Sequence, residues 1–63
     1  MEITDQAIRR LQRALNALAR GSGFPRLAVD GQLGRMTIAA LARFLATRGA
    51  EGEAALVRAI NVL

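Results

Sequence analysis

A chain of 63 residues, 52% hydrophobic, has room for one small core, and below ~70–80 residues a single core rarely supplies more than ~3–5 kcal/mol. With no cysteine and no histidine, no disulfide, thiolate or imidazole metal site can add to it. Nine arginines and no lysine against five acidic residues give a net charge of +4, a balance that favours polyanionic partners such as nucleic acid, anionic lipid or bacterial cell wall.

No apolar run approaches the ~18–20 residues of a transmembrane helix, so no membrane insertion is expected. The start, Met1-Glu2-Ile3-Thr4-Asp5-Gln6, is acidic and polar and lacks the basic, then apolar, character of a signal peptide. The expectation is that a parent chain, or cell lysis, delivers the domain if it acts in the envelope, the periplasm or outside the cell.

Thr4 is placed to cap a first helix from about Asp5 to Arg20. At helical spacing Ala7, Ile8, Leu11, Ala14, Leu15 and Leu18 fall on one arc, and Arg9, Arg13, Asn16 and Arg20 on the opposite side. Gly21 ends this helix, with Arg20 complementing the dipole in its last turn. The loop Gly21-Ser22-Gly23-Phe24-Pro25-Arg26 follows, in which Pro25 disfavours helix at Phe24. Leu27-Ala28-Val29 reads as a short extended stretch. Asp30-Gly31 is a turn: Gly31 takes positive φ at no cost, and Asp30 bonds its own downstream backbone.

Gly34 fits the N-cap of a second helix from about Arg35 to Arg48, with Thr37 in its first turn. Its buried stripe is expected to be Ile38, Leu41, Ala42 and Leu45, with Phe44 at the flank and Met36, Ala40, Arg43 and Thr47 on the far side. Gly49 stops it. Ala50-Glu51-Gly52-Glu53 reads as a connector into a third helix, which carries Leu56, Ala59, Ile60 and Leu63 on one face and Val57 and Val62 off it. The helical pattern runs to the last residue, which suggests a single domain, 1–63, excised from a longer chain.

The residue types bound the chemistry. General acid–base work would fall to Glu2, Asp5, Asp30, Glu51 and Glu53. A glycosidase needs two carboxylates roughly 5–9.5 Å apart across the scissile bond. Glu2 and Asp5 lie at the chain's start, Glu51 and Glu53 in a solvated connector, and Asp30 caps its turn. Ser22 has no histidine to activate it. No metal-ligand cluster is visible, and no cofactor is implied. The isolated domain is expected not to be an enzyme.

The pattern Leu11-Gln12-x-Ala14-Leu15-Asn16, then Val29-Asp30-Gly31-x-x-Gly34-x-x-Thr37-x-x-Ala40-Leu41, resembles the peptidoglycan-binding domain family. These are small three-helix modules appended to cell-wall hydrolases, including phage-type and holin-associated muramidases. The resemblance covers roughly Ala7 to Leu41. Arg35 departs from the proline, and Met36 from the lysine, that often follow the second glycine in that family.

The resemblance implies an all-α, compact three-helix bundle with a long loop and the Asp-Gly turn between its first two helices. It implies a non-catalytic module that targets an attached hydrolase to peptidoglycan, and a shallow groove near the turn. With no tryptophan or tyrosine for sugar stacking, the carboxylates of the peptide stems are the expected target. Arginine pairs with these bidentately. Arg26 and Arg35 flank the turn and are the first candidates for ligand contact, followed by Arg43. Phe24 is open between loop packing and ligand contact. Asp30, Gly31, Gly34 and Thr37 read as turn scaffold.

Two other readings compete. One is a small arginine-rich DNA-binding domain. Against it, the first loop runs about 14 residues where a helix-turn-helix uses three or four, and the segment 36–47 is poor in side chains that read base edges. The other is a helical oligomerisation or partner-docking domain, favoured by the off-stripe Val57 and Val62.

Overall fold

The computed structural model describes residues 4–19 and 26–62. The fold is all-helical: α1 spans Asp5–Leu18 and α2 spans Arg35–Val62, joined by a segment described from Arg26 onward. The expected stop at Gly21, the last-turn Arg20 and the loop residue Phe24 lie outside the described residues.

α1 begins where the capping chemistry places it. Thr4 is extended (φ −95°, ψ 162°), and its hydroxyl accepts from the Ala7 amide at 3.1 Å. Its carbonyl takes the Ile8 amide at 3.1 Å. Asp5 sits in the first turn, where a negative charge meets the positive end of the helix dipole. The chain leaves helical geometry at Ala19, whose amide still bonds the Leu15 carbonyl.

α2 is one 28-residue run with a break inside it. Gly49 adopts φ 62°, ψ −146°, outside helical space. The expected stop is therefore a kink, and helix continues on both sides. The three separate helices expected become two, the second bent. Ala50, Glu51, Gly52 and Glu53 are helical, so the expected connector is absorbed into the second arm. Gly52 is buried there. A Cβ at Gly52 would collide with the Arg48 side chain and come within 3.3 Å of the Phe44 ring. The Arg48 guanidinium lies over that ring, 5.6 Å from its centroid, so glycine leaves space for the pair.

The core is small: Ala14, Leu15, Ala19, Leu27, Ala40, Phe44 and Leu56, with Leu11, Leu18, Leu41, Leu45, Ala59 and Ile60 packed against it. The arc expected for α1 is largely the one buried, except that Ala7 is exposed. Of the stripe expected for α2, Leu41 and Leu45 pack against the core, but Ile38 and Ala42 do not, and Ala40 and Phe44, expected at the far side and the flank, are buried. Thr37 is buried in phase with them, while Ile38 is 52% exposed. Phe44 sets this phase. It is the largest fully buried side chain, and turning it inward rotates Ile38 out, one residue beyond the 37–40–44 row.

Candidate functional site

α1 carries a second stripe that the apolar pattern hides. Asp5, Arg9, Gln12 and Asn16 recur at intervals of four, three and four residues, which places them on one face. That face grips the segment from Leu27 to Gln32. Asn16, expected on the solvent side, is half-buried. Its Nδ2 donates to the Leu27 carbonyl at 2.9 Å, and its Oδ1 accepts from the Leu27 amide at 2.7 Å. One side-chain amide thus pairs both backbone groups of one residue, as a neighbouring strand would.

Gln12 is the hub. It is 1% exposed. Its Oε1 accepts from the amides of Asp30 and Gly31, each at 3.1 Å. Its Nε2 points at three acceptors: Asp30 Oδ1 at 3.0 Å, the Gln32 carbonyl at 3.1 Å and Thr37 Oγ at 3.1 Å. Two N–H groups serve three acceptors, so one is shared. The side chain therefore ties α1, the turn and the first turn of α2 together. Among the described residues no buried side-chain polar atom lacks a partner, the condition under which a buried polar network stabilises.

The turn itself follows the local rules. Asp30 Oδ1 accepts from the Gln32 amide at 2.9 Å, the Asx turn that lets aspartate open a bend. Gln12 first, then the Gln32 amide, hold the Asp30 carboxyl below its ordinary value of 3.8, and the nearby Arg9 adds to this. Gly31 has φ +74°, and a Cβ there would run into the Asp5 carboxylate. Gly34 is different: its φ is not positive, and nothing lies within 4 Å of the Cβ position. Its carbonyl accepts from Ile38 at 3.0 Å to start α2. Arg9 closes the stripe, with Nε on Asp5 Oδ2 at 3.0 Å and a terminal nitrogen 3.4 Å from the Asp30 carbonyl. It is half-buried, so it is not the outward-facing residue its helix position suggests.

Beside the turn lies a cleft of about 270 Å³ between the 26–34 segment and the start of α2. Leu27, Ala28 and Met36 line it, Gln12, Asp30 and Thr37 come from the clasp, and Arg26 and Arg35 are also in the lining. Both arginines are exposed, and neither pairs with a carboxylate among the described residues; the ion pair found there is Arg9–Asp5. The structure thus brings together two of the proposed contact residues. Arg43 is exposed on α2 and does not line the cleft. It stands eight residues beyond Arg35, about 12 Å along the axis at 1.5 Å per residue. Among the described residues there is no cluster of His, Cys, Asp or Glu able to hold a metal ion, and no helix is long and apolar enough to cross a membrane.

The domain is thus all-helical, with a first helix that clasps an Asp-Gly turn beside an arginine-bearing cleft. The family model described as "Predicted Peptidoglycan domain" matches residues 6–63, and the chain belongs to that family. No curated protein and no solved structure matches it significantly. The match begins at Gln6 and takes in Arg9, Gln12 and Asn16 of the clasp, the turn and the kinked α2. Gln12, to which the apolar pattern gives no role, is legible in principle: it belongs to a polar row at helical spacing interleaved with the apolar one.

Proposed function

We propose that the domain is a non-catalytic peptidoglycan-binding module that holds an attached cell-wall hydrolase, such as a muramidase of the endolysin type, on its polymer. The family match over residues 6–63 carries this reading. Tethering raises the local concentration of the enzyme at the wall without chemistry in the module. The working place would be the cell envelope or the extracellular side, reached with the parent protein or on lysis.

Arg26 and Arg35, at the cleft, are the contacts we assign to stem-peptide carboxylates. Each presents a planar fork that matches a carboxylate. Two of the domain's five carboxylates are engaged in its scaffold, which favours binding over catalysis at the turn: Asp30 is engaged by Gln12 and the Gln32 amide, and Asp5 by Arg9.

The test is sedimentation with purified sacculi. The parent chain should co-sediment, and less so with added salt, because open Arg–carboxylate contacts are screened over ~8–10 Å. Arg26→Ala with Arg35→Ala should release most of it with the helical circular dichroism intact. The control pair is Arg10→Ala with Arg13→Ala, both exposed on α1; Arg9 is unsuitable because it holds Asp5 and the turn. Equal loss for both pairs would mean diffuse charge attraction without a defined cleft.

A further inference from the structure

The Asn16 clasp fixes more than the position of Leu27. A residue whose amide and carbonyl both face one neighbour is extended, and in extended backbone the next residue presents its own pair to the opposite side. Leu27 gives both groups to Asn16. Ala28 therefore turns its N–H and C=O away from α1. Ala28 is exposed and lines the cleft, and neither of its backbone groups is bonded to a described residue. Arg26 precedes it by two residues, and Arg35 stands across the cleft. The result is a one-residue strand edge, held rigid from behind by a side-chain amide, with two cations beside it.

We infer that this edge binds an extended peptide backbone: Ala28 exchanges two main-chain hydrogen bonds with one residue of the ligand while Arg26 or Arg35 takes a carboxylate nearby. This is strand addition on its smallest scale, and charge complementarity selects a peptide that carries a free carboxylate beside its backbone. The inference deepens the peptidoglycan reading and rests on it for the source of the peptide, the wall's stem. It makes the peptide backbone, and not the glycan, the recognised element. Asn16 already holds the Leu27 backbone in place, which lowers the ordering cost of binding at Ala28.

The probe is the soluble stem tetrapeptide L-Ala-γ-D-Glu-L-Lys-D-Ala, titrated into the full chain with amide NMR detection. The Ala28 amide should be among the most shifted. Ala28→Pro removes the outward N–H and leaves the Leu27 clasp, since proline asks only that the preceding residue be extended. It should weaken binding roughly 3- to 10-fold, the range for one lost hydrogen bond, while Arg10→Ala, exposed on α1 and outside the cleft, should bind like the parent. Should Ala28→Pro fail to fold, the parent chain is titrated with the tetrapeptide N-methylated at each internal amide in turn. One methylated peptide should then lose affinity to a similar degree. Unchanged affinity for Ala28→Pro, or for every methylated peptide, overturns the strand-edge inference. Sacculi sedimented in parallel keep the two ideas separate. A parent that binds sacculi but shows no Ala28 dependence loses only this inference. A parent that binds the peptide through Ala28 but ignores sacculi loses only the cell-wall reading.

Discussion

α1 has two seams, and they are built on different physics. Its apolar side sets Ala14, Leu15 and Ala19 into the cluster with Phe44 and Leu56. Its polar side sets Asp5, Arg9, Gln12 and Asn16 against the 27–32 segment. The apolar seam is held by area and volume, which many side chains can supply. The polar seam is held by donors and acceptors whose count and direction must match, and any mismatch leaves a buried group unsatisfied. The first seam gives the domain a core. The second decides the shape of the turn, and with it the cleft.

The comparison is tested most severely at Gln12. Gln12→Glu keeps the volume but exchanges the donor that serves three acceptors for an anion, in a site that is 1% exposed. We expect a loss on the order of 3–5 kcal/mol, enough to unfold most of the population of a domain this small. Urea titration checks it. A loss as small as that of an apolar swap would remove the distinction between the seams.

Gly31→Val comes next. Positive φ with a branched Cβ costs about 1–3 kcal/mol, and the added Cβ must also displace the Asp5 carboxylate. Gly34→Ala, with open space at its Cβ and no positive φ, is expected to be neutral or to stabilise slightly. Thermal melts of the pair sharpen the comparison within one short motif. If both melt like the parent, the turn is not where the clasp places it.

Asn16→Ala should cost about 1–3 kcal/mol, since it frees the amide and carbonyl of the buried Leu27. Leu15→Met, in the apolar seam, should cost less than about 1.5 kcal/mol although Leu15 is 2% exposed. Chemical denaturation of these two variants compares the seams at neighbouring positions of one helix.

The smallest effect is in pH. The Asp30 carboxyl is held below 3.8 by Gln12 and the Gln32 amide. A lowered folded-state value means that the unfolded chain takes up the proton first. The contribution is therefore complete above pH 4 or so and is lost as pH falls through the folded value. Asp30→Asn retains an acceptor oxygen for both partners and should flatten the acid limb of a stability profile while changing little at pH 7. An unchanged acid limb would show that the clasp does not depend on the charge.

Much of the molecule is legible in its amino-acid sequence. Thr4 is recognisable as a cap because few side chains can accept from the third amide of a helix. Gly31 and Asp30 are recognisable because positive φ and Asx bonding are local properties of the chain. Gly49 is recognisable as a helix breaker, but whether the helix resumes after it depends on what Phe44 and Leu56 pack against. The α2 stripe is only partly placed by pattern: Leu41 and Leu45 do pack against the core, but counting apolar residues treats Ile38 and Phe44 alike, while a core with few large side chains orients on the largest.

What the sequence determined by itself was set by chemistry within a few residues: where α1 starts, where the chain turns, that helical geometry breaks at Gly49, and the motif spacing that marks the family. What only the tertiary structure decided was set by partners 11 to 25 residues apart, as in the bonds from Asn16 to Leu27 and from Gln12 to Asp30 and Thr37. The polar row and the motif mark Gln12 as a candidate, but which acceptors its amide meets is fixed only when they are brought from elsewhere in the chain. Its value then comes from burial, because only away from water does each of those bonds have no substitute.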